Sequence, residues 1–417
     1  MPTATNTTTP LPGRAHTTRV VSAAAVALAL TAPGQTAAMS VFIDPIIEDL
    51  DISRSLVSGA YLIGSLSGTL VLPLLGRLID RYGPRRIMAT IAACFGLILI
   101  VSSAASEITG LTAAFIGVRV GGQGALNLVA TTTVAIYVHR RRGFAIGLSS
   151  AIGTAGISLA PVLLERLIAV ADWRTVWIGE GIAVWLLVIP AALILLPRTP
   201  PAPPRGGEAD DRPRGPLPTV DWTRGQAMRT GMFWAVAAGV AVCSLVTTGL
   251  NFHQVSLLGE RGLSATEAAA TFLPQTIAGL ITAFGLGWLA DRFSDRVLIV
   301  LTMLLLALAT AGAGWVTPGF TAVLYGVALG ACANGVRTLE AVAFPRCFGL
   351  RHLGAIRGVV HSITVGASAF GPLLVAMGHD VADTYRAILL MLTALPVTVA
   401  IAAVLVRTPP PAPPERH

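Results

Sequence analysis

Lysine is absent from the 417 residues, and all 29 basic side chains are arginine. That removes Schiff-base chemistry and the phosphate-binding loop GxxxxGK[ST], because both need an ε-amino group. Charge of either sign is scarce, at 12% of residues against about 25% in soluble domains. A chain this long cannot cover a water-facing surface with so few charges. Cysteine is nearly missing too: Cys94, Cys243, Cys332 and Cys347 stand apart without CxxC spacing, so neither a disulfide frame nor a zinc site is expected. The seven histidines are scattered and form no cluster suited to acid–base or metal chemistry. An enzyme is not expected, and no catalytic residue, metal or cofactor is assigned. The longest polar stretch, residues 197–230, is too short for a soluble output domain.

What is abundant is apolar surface: 54% of residues, with a mean hydropathy of +0.73. Twelve membrane helices at about 20 residues each need about 240 residues, close to that supply. Apolar runs fall at about Val20 to Ile43, then 56–76, 87–106, 110–136, 144–168 and 174–196. The first is too long for a signal peptide and reads as helix one. After a Pro-rich charged break come six more, at 231–256, 267–290, 297–317, 319–345, 355–378 and 384–406. The expected organisation is a flexible tail at 1–18, a six-helix bundle at 19–197, a linker at 198–230, a second bundle at 231–407 and a tail at 408–417.

The charges locate the termini. With both in the cytoplasm, 22 arginines fall on that side, five (Arg54, Arg166, Arg174, Arg261, Arg386) fall outside, and Arg119 and Arg337 lie within spans. This satisfies the positive-inside rule. The net charge of +8 is therefore a topology signal, and nucleic acid is not an expected partner.

The two halves repeat each other. At an offset of 211, Tyr61 pairs with Phe272, Gly68 with Gly279, Gly76 with Gly287, Leu78 with Leu289, Asp80 with Asp291 and Arg81 with Arg292. The same offset pairs Gly124 with Gly335, Gly147 with Gly358 and Pro161 with Pro372. Parallel six-helix repeats around a midplane site are a transporter arrangement. The segment Gly76-Arg77-Leu78-Ile79-Asp80-Arg81-Tyr82-Gly83-Pro84-Arg85-Arg86 resembles the signature between helices two and three of the major facilitator superfamily. Gly287 to Arg292 is its weaker copy, with Ser294 where the first block has Gly83. The resemblance implies an all-α integral membrane protein: 12 transmembrane helices in two pseudo-symmetric six-helix bundles. A gating latch is expected at Gly76, Asp80, Arg81, Gly83, Arg85, Asp291 and Arg292, since arginines can hold carbonyl ends or carboxylates.

Tyr137 to Gly147, with His139-Arg140-Arg141-Arg142-Gly143, is similar to the signature of the monocarboxylate porter branch, and Phe344 to Gly358 resembles its bacterial members. The departures are the missing lysine and a helix eight with Gln275 but no Asp or Arg. By this resemblance the cargo is a monocarboxylate, moved by proton symport across the plasma membrane by a monomer.

Arg119 and Arg337 each cost about 2.5–3.5 kcal/mol at a helix centre and so face an interior or aqueous cavity. The guanidinium fork suits a carboxylate. Two readings of Arg337 stand: it contacts an organic anion, or it satisfies Glu340, three residues on and one helical neighbour away. Glu340 is the candidate proton site. Gln35, Asn127, Asn251, His253, Gln275 and His361 are further substrate-binding candidates. An exporter of drugs or metabolites from the same superfamily is the alternative.

Overall fold

A computed structural model of the chain describes residues 14–138, 142–198, 222–290, 292–349 and 352–406. Of the expected N-terminal tail, residues 1–13 lie outside the described residues, whereas residues 14–18 are not tail but the first turns of the helix Arg14–Ala29. The tail at 408–417 and most of the 198–230 linker also lie outside the described residues. In the described part of the linker, the Trp222 N–H donates to the Phe348 carbonyl at 3.0 Å and the two rings meet edge to face.

Among the described residues the secondary structure is helical throughout. A helix satisfies its own backbone polar groups, which hydrocarbon demands. Ten helical runs are long and apolar enough to cross a membrane: Pro84–Ser102, Ile108–Tyr137, Phe144–Ile168, Trp173–Leu195, Gly231–Phe252, Ala265–Ala290, Asp295–Trp315, Phe320–Phe348, Leu353–Ala382 and Tyr385–Leu405. They are spans three to twelve. Span two, Arg54–Tyr82, has 29 residues and reaches about 43 Å at 1.5 Å per residue.

Span one is not the single helix expected from Val20 to Ile43. It runs as Arg14–Ala29, a 3-10 turn at Ala32–Gly34 and Thr36–Met39, followed by Ile43–Leu50. Pro33 brings no N–H to continue the ladder. Gly34 lies against span four so closely that a Cβ there would stand 2.7 Å from the Gln123 nitrogen and the Val118 carbonyl. Sequence-level apolarity cannot reveal a break whose cause is a backbone contact with another helix.

The halves pack alike. In the first, span two packs most heavily on four, one on five and three on six; in the second, eight packs on ten, seven on eleven and nine on twelve. The repeat at an offset of 211 thus recurs in three dimensions. Between halves, span two meets eleven and span five meets eight. Phe284, Leu308, Phe320 and Val381 are between 69 and 89% exposed. An apolar shell of that kind suits lipid and would be a liability in water.

One apolar cluster joins Phe42, Ile46, Val57 and Tyr61 of the first half to Phe252 and Leu257 of the second. The core of the first half around Val20, Met88, Phe95 and Val134 forms a separate cluster. Among the described residues, apolar packing therefore welds the halves at the end away from the linker, and no such cluster spans them at the linker end.

Candidate functional site

A cavity of about 1060 Å³ lies between the halves. Gln35 and Arg119 of the first half and Asn251 of the second line its deep end, while Glu340, Leu353 and Arg357 line its linker end. Span seven contributes a polar stripe, Ser244, Thr247, Thr248 and Asn251, spaced i, i+3, i+4, i+7 so that all four share one helix face.

Arg119 opens a π-helical stretch, Arg119–Leu126, in span four. Short π segments re-aim side chains inside helices and recur at functional sites. Its Nη1 donates to the Gly34 carbonyl at 2.9 Å and its Nε to Ser65 Oγ at 3.1 Å. Its guanidinium lies 4.6 Å from the Tyr61 ring centroid. The broken turn of span one thus supplies the carbonyl that holds a buried cation. No carboxylate pairs with Arg119 among the described residues.

Arg337 is exposed to the cavity, and among the described residues it makes no hydrogen bond or ion pair. Glu340 does not pair with it. The carboxylate instead accepts from Arg357 Nε at 3.3 Å, across from span ten to span eleven. His361 lies four residues beyond Arg357 on the same face and also lines the cavity. The i, i+3 rule weighed for Arg337 is a neighbour rule within one helix and is blind to partners on another.

Three residues expected at the site stand off the cavity lining. Asn127 starts the helical segment Asn127–Tyr137. His253 is fully buried: its Nε2 lies 3.0 Å from the Pro372 carbonyl, which can only accept, so Nε2 donates, and Nδ1 accepts from the Tyr385 hydroxyl at 3.4 Å. It pins spans seven, eleven and twelve. Gln275 Nε2 donates to Asn251 Oδ1 at 3.0 Å and so orients a cavity side chain from behind. Of the cavity lining, the sequence points to Asn251 but not to Arg357, Gln123 or the rest of the span-seven stripe, Ser244, Thr247 and Thr248. The stripe's helical spacing is a usable signal, whereas Arg357 is indistinguishable in sequence from the arginines that set the topology.

At the expected latch, Gly83 turns with φ 82° between spans two and three. Arg85 Nη2 donates to the Leu193 carbonyl at 2.6 Å, at the end of span six. Arg81 lies over the Tyr82 ring and Arg292 over Trp288, at 5.2 and 3.8 Å. Asp291 lies outside the described residues, and of Gly76 and Asp80 only the helical backbone is described. In the second half, Arg346 Nη1 donates to the Ala290 carbonyl at 2.9 Å and to Asp295 at 3.2 Å.

The end away from the linker is tied by polar bonds between halves. Arg54 donates to Asp44 at 2.8 Å and to Ser256 Oγ at 2.9 Å, and Ser256 donates to Asp44 at 2.7 Å. Ser55 Oγ donates to Asp380 at 2.5 Å. Glu260 meets His379 at 2.8 Å nearby. The cavity is closed there and approached from the linker end.

The family model described as Major Facilitator Superfamily matches residues 24–363 and 260–417. A protein named triacylglyceride transporter, from Mycobacteroides abscessus, is 25% identical, with 73% of this chain and 68% of that protein covered. Among solved structures, a bacterial homolog of the human lysosomal transporter Spinster, inward-facing and unoccupied, superposes with a TM-score of 0.71 at 18% identity, covering 94% of this chain and 97% of that one. The nucleoside transporter NupG superposes with a TM-score of 0.73 at 12% identity, covering 93 and 99%. At such identities these likenesses speak to the fold.

Proposed function

The chain belongs to the Major Facilitator Superfamily, and from that premise we propose that it is a secondary active transporter moving a small organic anion by alternating access. One observation carries the anion: Arg337 stands exposed in the cavity without a partner among the described residues. A cation at membrane depth is costly and is kept where a pathway uses it. The anion docks on Arg337, with Gln35, Asn251 and His361 as hydrogen-bonding groups and Arg119 as a fixed positive charge beneath. By the porter-branch motifs the anion is a monocarboxylate. Proton coupling runs through Glu340: a proton there breaks the pair with Arg357 and turns a second guanidinium towards the cargo. The arginine distribution supports a plasma-membrane orientation with both termini cytoplasmic, the cavity then opening inwards. The working unit is a monomer.

The cavity volume favours a second reading. A space of about 1060 Å³ lies just above the roughly 300–1,000 Å³ range of drug-sized sites, more than a two- or three-carbon acid fills. Export of a drug or an amphipathic metabolite is that alternative. Uptake of labelled lactate and pyruvate into proteoliposomes tests the first reading. Arg337→Ala should lose about tenfold or more, the loss expected from a charge-assisted hydrogen bond. Equal rates in the wild type, Arg119→Ala and Arg337→Ala would remove the anion site. Thermal stabilisation by long-chain acids but not by lactate or pyruvate would favour the second reading.

A further inference from the structure

A second, smaller cavity of about 330 Å³ lies outside the central pathway, between spans nine and ten. Leu305, Leu308, Trp315, Leu324 and Tyr325 line it. Leu308 is 69% and Leu324 54% exposed, so the groove faces lipid. It begins at the end away from the linker, where Trp315 closes span nine. Leu305 lies ten residues back along that helix, about 15 Å deeper at 1.5 Å per residue. That depth is half of a hydrocarbon core of about 30 Å, the reach of a single leaflet.

Two polar groups bear on this groove, one beside its rim and one in its wall, which is otherwise apolar apart from Thr321. At the rim, the Arg386 guanidinium stacks 4.4 Å from the Trp315 ring centroid, and among the described residues it has no carboxylate partner. Inside, Tyr325 is only 5% exposed, and among the described residues its hydroxyl has no hydrogen-bond partner. A buried hydroxyl left unpaired costs free energy. Tyr325 lies five residues into span ten from Phe320, about 7.5 Å below the rim. The vertical order is cation, then hydroxyl donor, then apolar slot.

We propose that this groove is a binding site for one anionic phospholipid of the adjoining leaflet. Its phosphate pairs with Arg386, a glycerol ester carbonyl accepts from the Tyr325 hydroxyl, and one acyl chain fills the slot past Leu308 to Leu305. Charge complementarity at the rim selects an anionic headgroup, and the depth matches a chain anchored in one leaflet.

Native mass spectrometry of the full chain, delipidated in mild detergent and titrated with phosphatidylglycerol or phosphatidylcholine, tests this. Wild type should retain one phosphatidylglycerol about fivefold more strongly than phosphatidylcholine, the factor one arginine near an anionic headgroup is worth. Arg386→Ala, an exposed position, should erase that preference. Leu308→Trp should fill the slot and lose both lipids while the protein stays monodisperse. Tyr325→Phe should weaken ester-linked phosphatidylglycerol but leave its ether-linked analogue unchanged. Retention of phosphatidylglycerol by Leu308→Trp at the wild-type level overturns the site. So do a preference that survives Arg386→Ala and displacement of the lipid by inorganic phosphate alone.

Discussion

At the residue scale, Glu340 and Arg357 decide whether the cavity holds one available guanidinium or two. The pair is bridged at 3.3 Å, and Arg337 is left over on the same wall. Glu340→Gln should mimic the protonated state: uptake should become insensitive to an imposed proton gradient, while exchange without a gradient continues. Gradient-dependent uptake by that variant would falsify the coupling role. Asp80→Asn, in the motif between spans two and three, should leave membrane insertion intact and slow transport; a normal rate would end the latch assignment. What the sequence reveals at this scale divides by cause. Arg119 and Arg337 stand out because a charge inside an apolar run is costly wherever it points. The Glu340 partner does not stand out, because it depends on how two helices are rotated about their axes. His253 and Gln275 were reasonable polar candidates at membrane depth, but each is consumed by a neighbour, Pro372 or Asn251, that only packing brings near.

At the element scale, the informative pieces are the broken span one and the helix caps. Gly34 and Gly122 cross at backbone contact, with a Cβ on Gly122 only 2.9 Å from Gly34 Cα. Gly122→Val should therefore lower stability by about 1–3 kcal/mol through overpacking and disturb the Gly34 carbonyl that holds Arg119. Thermal unfolding in detergent reads the first effect and loss of anion-dependent stabilisation the second; an unchanged melting temperature would contradict the close crossing. Outside the spans, Asp172 caps span six by accepting from the Thr175 N–H at 2.6 Å, and that bond lowers its carboxyl pKa below the usual value. A lowered folded pKa gives stability that is present above the unfolded value of about 3.9 and is lost as pH falls through the folded one. The melting-temperature gap between wild type and Asp172→Ala should hold steady from neutral pH to mild acid and close in stronger acid. Helix number and order were legible from apolar run length alone, since hydrocarbon thickness sets that length. The break at Pro33-Gly34 was not, because half of its cause sits on span four.

At the scale of the whole molecule, the two ends are unequal, and that inequality defines the state. Apolar packing of Tyr61 on Phe252, with ring centroids 4.4 Å apart, and the Asp44–Arg54–Ser256 cluster hold the halves together away from the linker. Among the described residues, no comparable cluster joins the separate first-half core to the second half at the linker end. Alternating access requires the reverse arrangement to lie within a few kcal/mol, so bonds made only in one state set the balance. Arg54 is such a group: its ties to Ser256 exist only while that end is closed. Removing it should shift the population without touching the cavity. Spin labels on cysteines placed at Glu48 and Val381, both exposed at that end and in opposite halves, would report it in a background lacking the four native cysteines. Arg54→Ala should add a longer component to the distance distribution, and a saturating anion should alter its share. If the distribution stays single and short with and without Arg54, the cluster is a passive surface contact, and the closure rests on the apolar weld around Tyr61 and Phe252 alone.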